Sequence, residues 1–238
     1  MTGSGNGDNG AMAALYPFLY SGSSDLDGVL AEVRQSTVDK VHEIVALRRS
    51  VAERDAQRLL DCAAAMADCF DVGGKLFAFG NGGSSTDAAE LANLFLNPGG
   101  EHRALPAVTL TADVAVLTAL SNDVSFDVVY ARQIAAFGRR GDVAVGLSTS
   151  GNSENLVRAF DEAGRRGLLT VGIAGYDGGK MAELDSIDHL FVVPSASVHR
   201  IQEAQTTVYH ALWELTLDAL SAYRAHPGQQ SDRTSLLE

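Results

Sequence analysis

Two short stretches of the chain carry the residue types that chemistry on a small anion needs. Gly80-Asn-Gly-Gly-Ser-Ser-Thr86 follows the apolar run Leu76-Phe-Ala-Phe79, and Leu147-Ser-Thr-Ser-Gly-Asn-Ser-Glu154 follows the run that starts at Asp142. Glycine leaves backbone N–H groups open, and a helix beginning just after adds the positive end of its dipole. Together they suit a phosphate or a sugar phosphate. In the second stretch Ser148, Thr149, Ser150 and Ser153 add hydroxyl donors, so phosphate oxygens can be met without Lys or Arg. A tight structural turn is the competing reading for either stretch alone. Two of them, each ending a strand of one sheet, argue against it. A dinucleotide loop reads G-x-G-x-x-G, and Ser85 stands where the third glycine belongs. The Gly-Lys-Ser/Thr ending of a nucleotide P-loop is missing too, which sets NAD and ATP aside.

The elements holding these stretches read as alternating strands and helices. Strands are expected over 76–79, 107–110, 142–147, 169–173 and 189–193. Helices are expected over 87–95, 112–120 (opened by Thr111), 128–137, 154–165, 181–184 and 201–222. This alternation predicts an α/β protein with a doubly wound parallel sheet flanked by helices. Ahead of it, residues 25–70 read as two helices, from the spacing of Leu26, Val29, Leu30 and Val33 and of Leu59, Leu60, Ala63 and Met66. A single domain over 25–226 is expected, with a disordered tail at 1–24 and a flexible tail at 227–238. In such sheets ligands collect at the carboxyl ends of strands, which is where both stretches fall.

Composition narrows the classes of partner. A net charge of −12 over 238 residues repels nucleic acid and anionic membranes at long range, so neither is expected as a partner. It does not bar an anionic small ligand held by local backbone donors. No apolar run approaches the ~20 residues that span a bilayer, and no basic-then-apolar leader reads from the N-terminus. The expected location is the cytoplasm, where Cys62 and Cys69 read as small core residues.

The pairing of GNGGS, SNDVSF, LSTSGNS, GGKMAELDSIDH and RIQE followed by His210 resembles the sugar isomerase (SIS) domain family, and within it the phosphoheptose isomerases. The resemblance runs in one order from about residue 30 to 222. It implies a flavodoxin-like fold, a homotetramer with active sites at subunit interfaces, and isomerisation of sedoheptulose 7-phosphate or a related ketose phosphate. By matching motifs it implies that Asn81, Gly82, Gly83, Ser84, Asn122 and Asp123 contact the sugar. It further implies that Ser148, Thr149, Ser150 and Ser153 hold the phosphate, and that Gln202 and His210 line the reacting end. A long last helix carrying Val208, Leu212, Leu215 and Leu217 looks apolar enough for a subunit interface.

The chain also departs from that family. Aldose–ketose isomerisation needs a base at one carbon and an acid at the neighbouring oxygen. The resemblance calls for a His and, one turn later, a Glu on the helix after GNGGS, binding zinc with the Gln and His of the last helix. Those positions hold Glu90 and Leu94. Leucine neither takes a proton nor binds a metal. Glu90 lies on the same helix face and is the expected base, with His210 as acid. Glu90, Gln202 and His210 remain as a three-ligand zinc set; the alternative within the enzyme class is that the metal is lost and Glu90 acts as sole base. His199 reads as a spare acid or base. A different class, a sugar-phosphate-binding regulator or scaffold on the same fold, is favoured by Leu94 and disfavoured by the presence of Gln202 and His210.

Overall fold

The computed structural model describes residues 26–225, with side chains from 27 to 223. The expected tails at 1–24 and 227–238 lie outside the described residues. The chain forms two compact units, Met1–Val45 and Ala46–Glu238. The first helix, α1, runs from Leu26 to Asp71 without a break. Two helices were expected there, but no glycine or proline interrupts the chain between Val29 and Asp71, so nothing stops the helix. In the first unit Val29, Leu30, Val33, Val38, Val41 and Val45 are all exposed.

The second unit holds a five-stranded parallel sheet in the order β2-β1-β3-β4-β5. Its strands are β1 (Leu76–Gly80), β2 (Ala107–Thr109), β3 (Val143–Ser148), β4 (Leu169–Gly175) and β5 (His189–Val193). The helices are α2 (Gly83–Leu96), α3 (Val114–Asp123), α4 (Val129–Phe137), α5 (Glu154–Arg166) and α6 (Val198–Ala225), with 3₁₀ turns at Phe126–Val128 and Gly179–Glu183. Every residue of β1 and β3 is buried. That is the signature of a parallel sheet covered on both faces, and it explains why these strands read as unbroken apolar runs. On one face Phe77, Phe79, Tyr130, Ile134, Leu156 and Phe160 pack into one core. Gly146 leaves the space there, since a Cβ on it would sit 2.5 Å from the Phe160 ring.

The 2-1-3-4-5 order is the flavodoxin-like winding, whose ligand crevice opens between β1 and β3, where the direction of winding reverses. Both polar stretches follow these two strands. At one edge of the sheet, β5 has no strand beyond it among the described residues. Arg54 of α1 donates to the Val192 carbonyl and Arg58 to that of Leu190. Asp55, 2% exposed, holds both guanidinium groups. This row of arginines occupies carbonyls that an unprotected edge would offer to another strand.

Several boundaries differ from the sequence reading. α2 begins at Gly83, four residues before the expected start, so half of the glycine stretch is helix. α3 starts at Val114, because Asp113 rather than Thr111 accepts from the Val116 N–H. The segment around Met181 is a 3₁₀ turn. Val208, Leu212 and Leu217 of α6 are at most 5% exposed and pack into the chain's own core, whereas Leu215 is half-buried.

Candidate functional site

β1 ends at Gly80, and Gly82 turns the chain with a φ of 55°, a value that favours glycine. The first turn of α2 follows. Ser85 and Thr86 return their hydroxyls to the carbonyls of Gly82 and Gly83, which is why Ser and Thr start this helix so tightly. Gly82 and Gly83 are exposed there, while Ser84 is 4% exposed and turned inward. Its backbone N–H donates to the Asn81 carbonyl within the turn.

The second stretch is braced from behind. The Ser148 hydroxyl accepts from the Gly151 N–H at 3.0 Å, and that of Ser150 accepts from the Asn152 N–H at 3.2 Å. Gly151 has a φ of 68° and lies so close to Gly178 that a Cβ would sit 1.9 Å from its carbonyl oxygen. Ser153 occupies the N-cap of α5, yet its hydroxyl makes no capping bond. It is left to meet a ligand beside the N–H groups that open the helix. Lys180 and Arg158 stand nearby, both bound to Glu154. Hydrogen bonds from Arg158 and then Lys180 hold the Glu154 carboxyl below the usual carboxylate range.

The two stretches are tied together by side chains that the motifs did not point out. Asn81 and Asn155 exchange amide hydrogen bonds at 2.9 Å each way. The Tyr130 hydroxyl also donates to Gly80 O and Asn81 Oδ1. Asn155 is 2% exposed, so this pair is a buried rivet between the ends of β1 and β3. The Asn81 amide oxygen is thus occupied by the protein.

α6 acts as the ruler of the site. Gln202 lies against Gly83, where a Cβ would be 2.2 Å from its Nε2. One turn on, the fully buried Gln205 donates to the carbonyls of Ser148 and Ile173. A further turn presents Tyr209 and His210 to α2. The Tyr209 hydroxyl donates to Glu90 Oε2 at 2.8 Å, and His210 Nε2 lies 3.7 Å from Glu90 Oε1. His210 Nδ1 is 2.8 Å from the Thr206 carbonyl, which can only accept, so Nδ1 carries the hydrogen and Nε2 faces Glu90. The imidazole stacks on Tyr209 and meets Trp213 edge-on.

Asp87, three residues before Glu90, completes the acidic face of α2. Its Oδ2 is buried without a partner. Burial, and then the charge of Glu90, push its carboxyl up to about 6. An unfolded chain ionises this group near its ordinary 3.8 and the folded chain near 6, so folding takes up a proton between them. Its contribution to stability is present below the lower value and lost as pH rises through the upper one. We expect Asp87→Asn to melt like wild type near about pH 4 and a few degrees higher near about pH 7.5, at roughly 2–4 °C per kcal/mol. A gain of equal size at both pH values would show that the charge is not its cause.

Other expected residues stand apart. Asn122 and Asp123 are exposed at the end of α3, and their recorded hydrogen bond is to each other. His199 is exposed at the start of α6. Both thiols are free; burial pushes Cys62 far up and Cys69 up to about 11, so neither is a nucleophile here.

Residues 41–175 match the SIS domain. The phosphoheptose isomerase of Aquifex aeolicus is 41% identical over 177 residues, 73% of this chain and 90% of its own length. That of Nitratidesulfovibrio vulgaris is 42% identical over 186 residues, 78% of this chain and 88% of its own. The chain belongs to the SIS domain family. Within that family it stands with the phosphoheptose isomerases. A solved phosphoheptose isomerase from Neisseria gonorrhoeae superposes with a TM-score of 0.69 at 35% identity, covering 77% of this chain and 98% of that one.

Where the resemblance calls for zinc, this chain presents Glu90 and Leu94 on α2. Catalytic zinc sites take three protein ligands. Here two groups, Glu90 and His210, face one another, and one oxygen of Glu90 already accepts from Tyr209. Leu94, one turn further, has no donor atom. Gln202 sits at Gly83, and two turns of α2, about 10.5 Å of rise, separate that point from Glu90. Glu90, Gln202 and His210 are not drawn to one point within the chain, so the residues present do not fit a zinc centre.

Proposed function

We propose that the protein interconverts a phosphorylated ketose, sedoheptulose 7-phosphate or a related long-chain ketose phosphate, with its aldose through an enediol. The carrying observation is that α6 meets both strand-end stretches with Gln202 and Gln205, then brings His210 to Glu90. About 7.5 Å of helix rise separates Gln205 from His210, which suits a substrate with its phosphate at one end and its carbonyl several carbons away. The names of the relatives support the same substrate class.

In this reading Ser148, Thr149, Ser150 and Ser153 hold the phosphate beside the N-terminus of α5. Glu90 removes the proton from the carbon next to the carbonyl. The C–H electron pair becomes the carbon–carbon double bond, and the carbonyl oxygen takes a proton from Nε2 of His210, which enters this step as the imidazolium and keeps the hydrogen on Nδ1. In the second half His210 recovers a proton from the other hydroxyl as it becomes the new carbonyl, and Glu90 returns its proton to the neighbouring carbon. Both side chains end as they began.

A cytoplasmic homotetramer belongs to the same proposal. The resemblance supports it, as do the exposed apolar residues Val29, Leu30, Val33, Val38, Val41 and Val45; among the described residues no helix is long and apolar enough to cross a membrane. A second reading, a sugar-phosphate-binding regulator, is favoured by Leu94. Assay of wild type and Leu94→Glu against several ketose phosphates separates the two. Activity in wild type supports the isomerase, whereas activity gained only with Leu94→Glu makes the natural protein a binder.

A further inference from the structure

Glu90 is a long side chain, 51% exposed, placed at the middle of α2. A base in that position needs something to fix its carboxylate, because a freely rotating glutamate spends little time in the reactive geometry. Asp87, one turn earlier on the same helix, is a like charge that repels the Glu90 carboxylate rather than fixing it, and among the described residues no cluster of metal ligands is at hand. The group that reaches it is the phenol of Tyr209.

Tyr209 is well suited to hold another side chain still. It is 0% exposed, its ring stacks on His210 at 4.9 Å between centroids, and its neighbours Val208 and Leu212 are at most 2% exposed. Its hydroxyl donates to Glu90 Oε2 at 2.8 Å, leaving Oε1 turned to His210 Nε2 at 3.7 Å. Burial, helped by Glu90 and Asp87, pushes the phenol above its ordinary range, so it remains a donor at any working pH. The recorded groups facing Glu90 are thus Asp87 from its own helix and Tyr209 and His210 from α6. Two adjacent residues of α6 divide the two oxygens of one carboxylate between them.

We propose that Tyr209 is the positioning residue of the catalytic base, fixing Oε2 of Glu90 so that Oε1 is the oxygen that takes the proton. This rests on the reading of Glu90 as base given above. A tyrosine on the buried face of an apolar helix reads from sequence only as core, and its hydroxyl is what sets it apart.

A mutant cycle with sedoheptulose 7-phosphate as substrate tests it, using Tyr209→Phe, Glu90→Gln and the double variant in the full chain. Phenylalanine keeps the ring and its stacking, and equal circular dichroism spectra and melting temperatures within a few degrees check the fold. Tyr209→Phe is expected to lower kcat about 10- to 10²-fold with KM within about twofold. In the Glu90→Gln background the same change is expected to do nothing further, since it acts through the group already removed. An equal loss in both backgrounds, or no loss in the single variant while Glu90→Gln is impaired, overturns the role of Tyr209 alone. Full activity in Glu90→Gln, or no turnover by wild type, overturns the reading of the base and this inference with it.

Discussion

Replacing Glu90 by Gln lowers turnover by about 10²–10⁴-fold and leaves the affinity for sugar phosphate intact. The amide is nearly the same size as the carboxylate and its oxygen can still accept from Tyr209, so the local structure around the 2.8 Å hydrogen bond survives. What disappears is the ability to take a proton from carbon. The proposed phosphate site lies at the end of β3, on a different element, so KM is expected to change little. Steady-state kinetics on the purified variant checks both parts. Unchanged turnover would move the base elsewhere, and His199, exposed at the head of α6, would be the next residue to replace.

The second large effect is on binding. Ser150→Ala together with Ser153→Ala is expected to weaken sugar-phosphate binding by a few kcal/mol, at ~1–3 for each charge-assisted hydrogen bond lost. The structure makes this a test of binding rather than of folding. Ser153 makes no capping bond to α5, and the recorded bond of the Ser150 hydroxyl is from the neighbouring Asn152 N–H. Removing both hydroxyls costs the fold little. Calorimetric titration with a ketose phosphate and with inorganic phosphate measures the loss. Equal affinity in wild type and variant would reduce the stretch to a turn.

The sheet was legible because buried parallel strands leave apolar runs, and the runs of β1 and β3 stop at Gly80 and Ser148. The same punctuation exposed both stretches at the crevice. It misled at the start of α2, where Gly-Gly-Ser-Ser-Thr reads as loop. The hydroxyls of Ser85 and Thr86 bond back to Gly82 and Gly83 and close a helical turn that propensity alone disfavours. Asp87 could have been found, since three residues before Glu90 is the same helix face. Tyr209, Gln205 and Asn155 could not. Each is buried and acts through a partner at least 32 positions away, a relation no local pattern records. Spacing along α6 likewise placed Gln202 and His210 on one helix, and only the structure shows them meeting different turns of α2, at Gly83 and at Glu90.

The central claim is that this chain moves a proton between adjacent carbons of a ketose phosphate. Proton NMR of sedoheptulose 7-phosphate incubated with the purified protein in deuterium oxide follows that step directly. The account predicts the anomeric signals of an aldoheptose 7-phosphate, with solvent deuterium entering at the carbons that exchange their proton. An unchanged spectrum from a protein that still binds the sugar phosphate would contradict it.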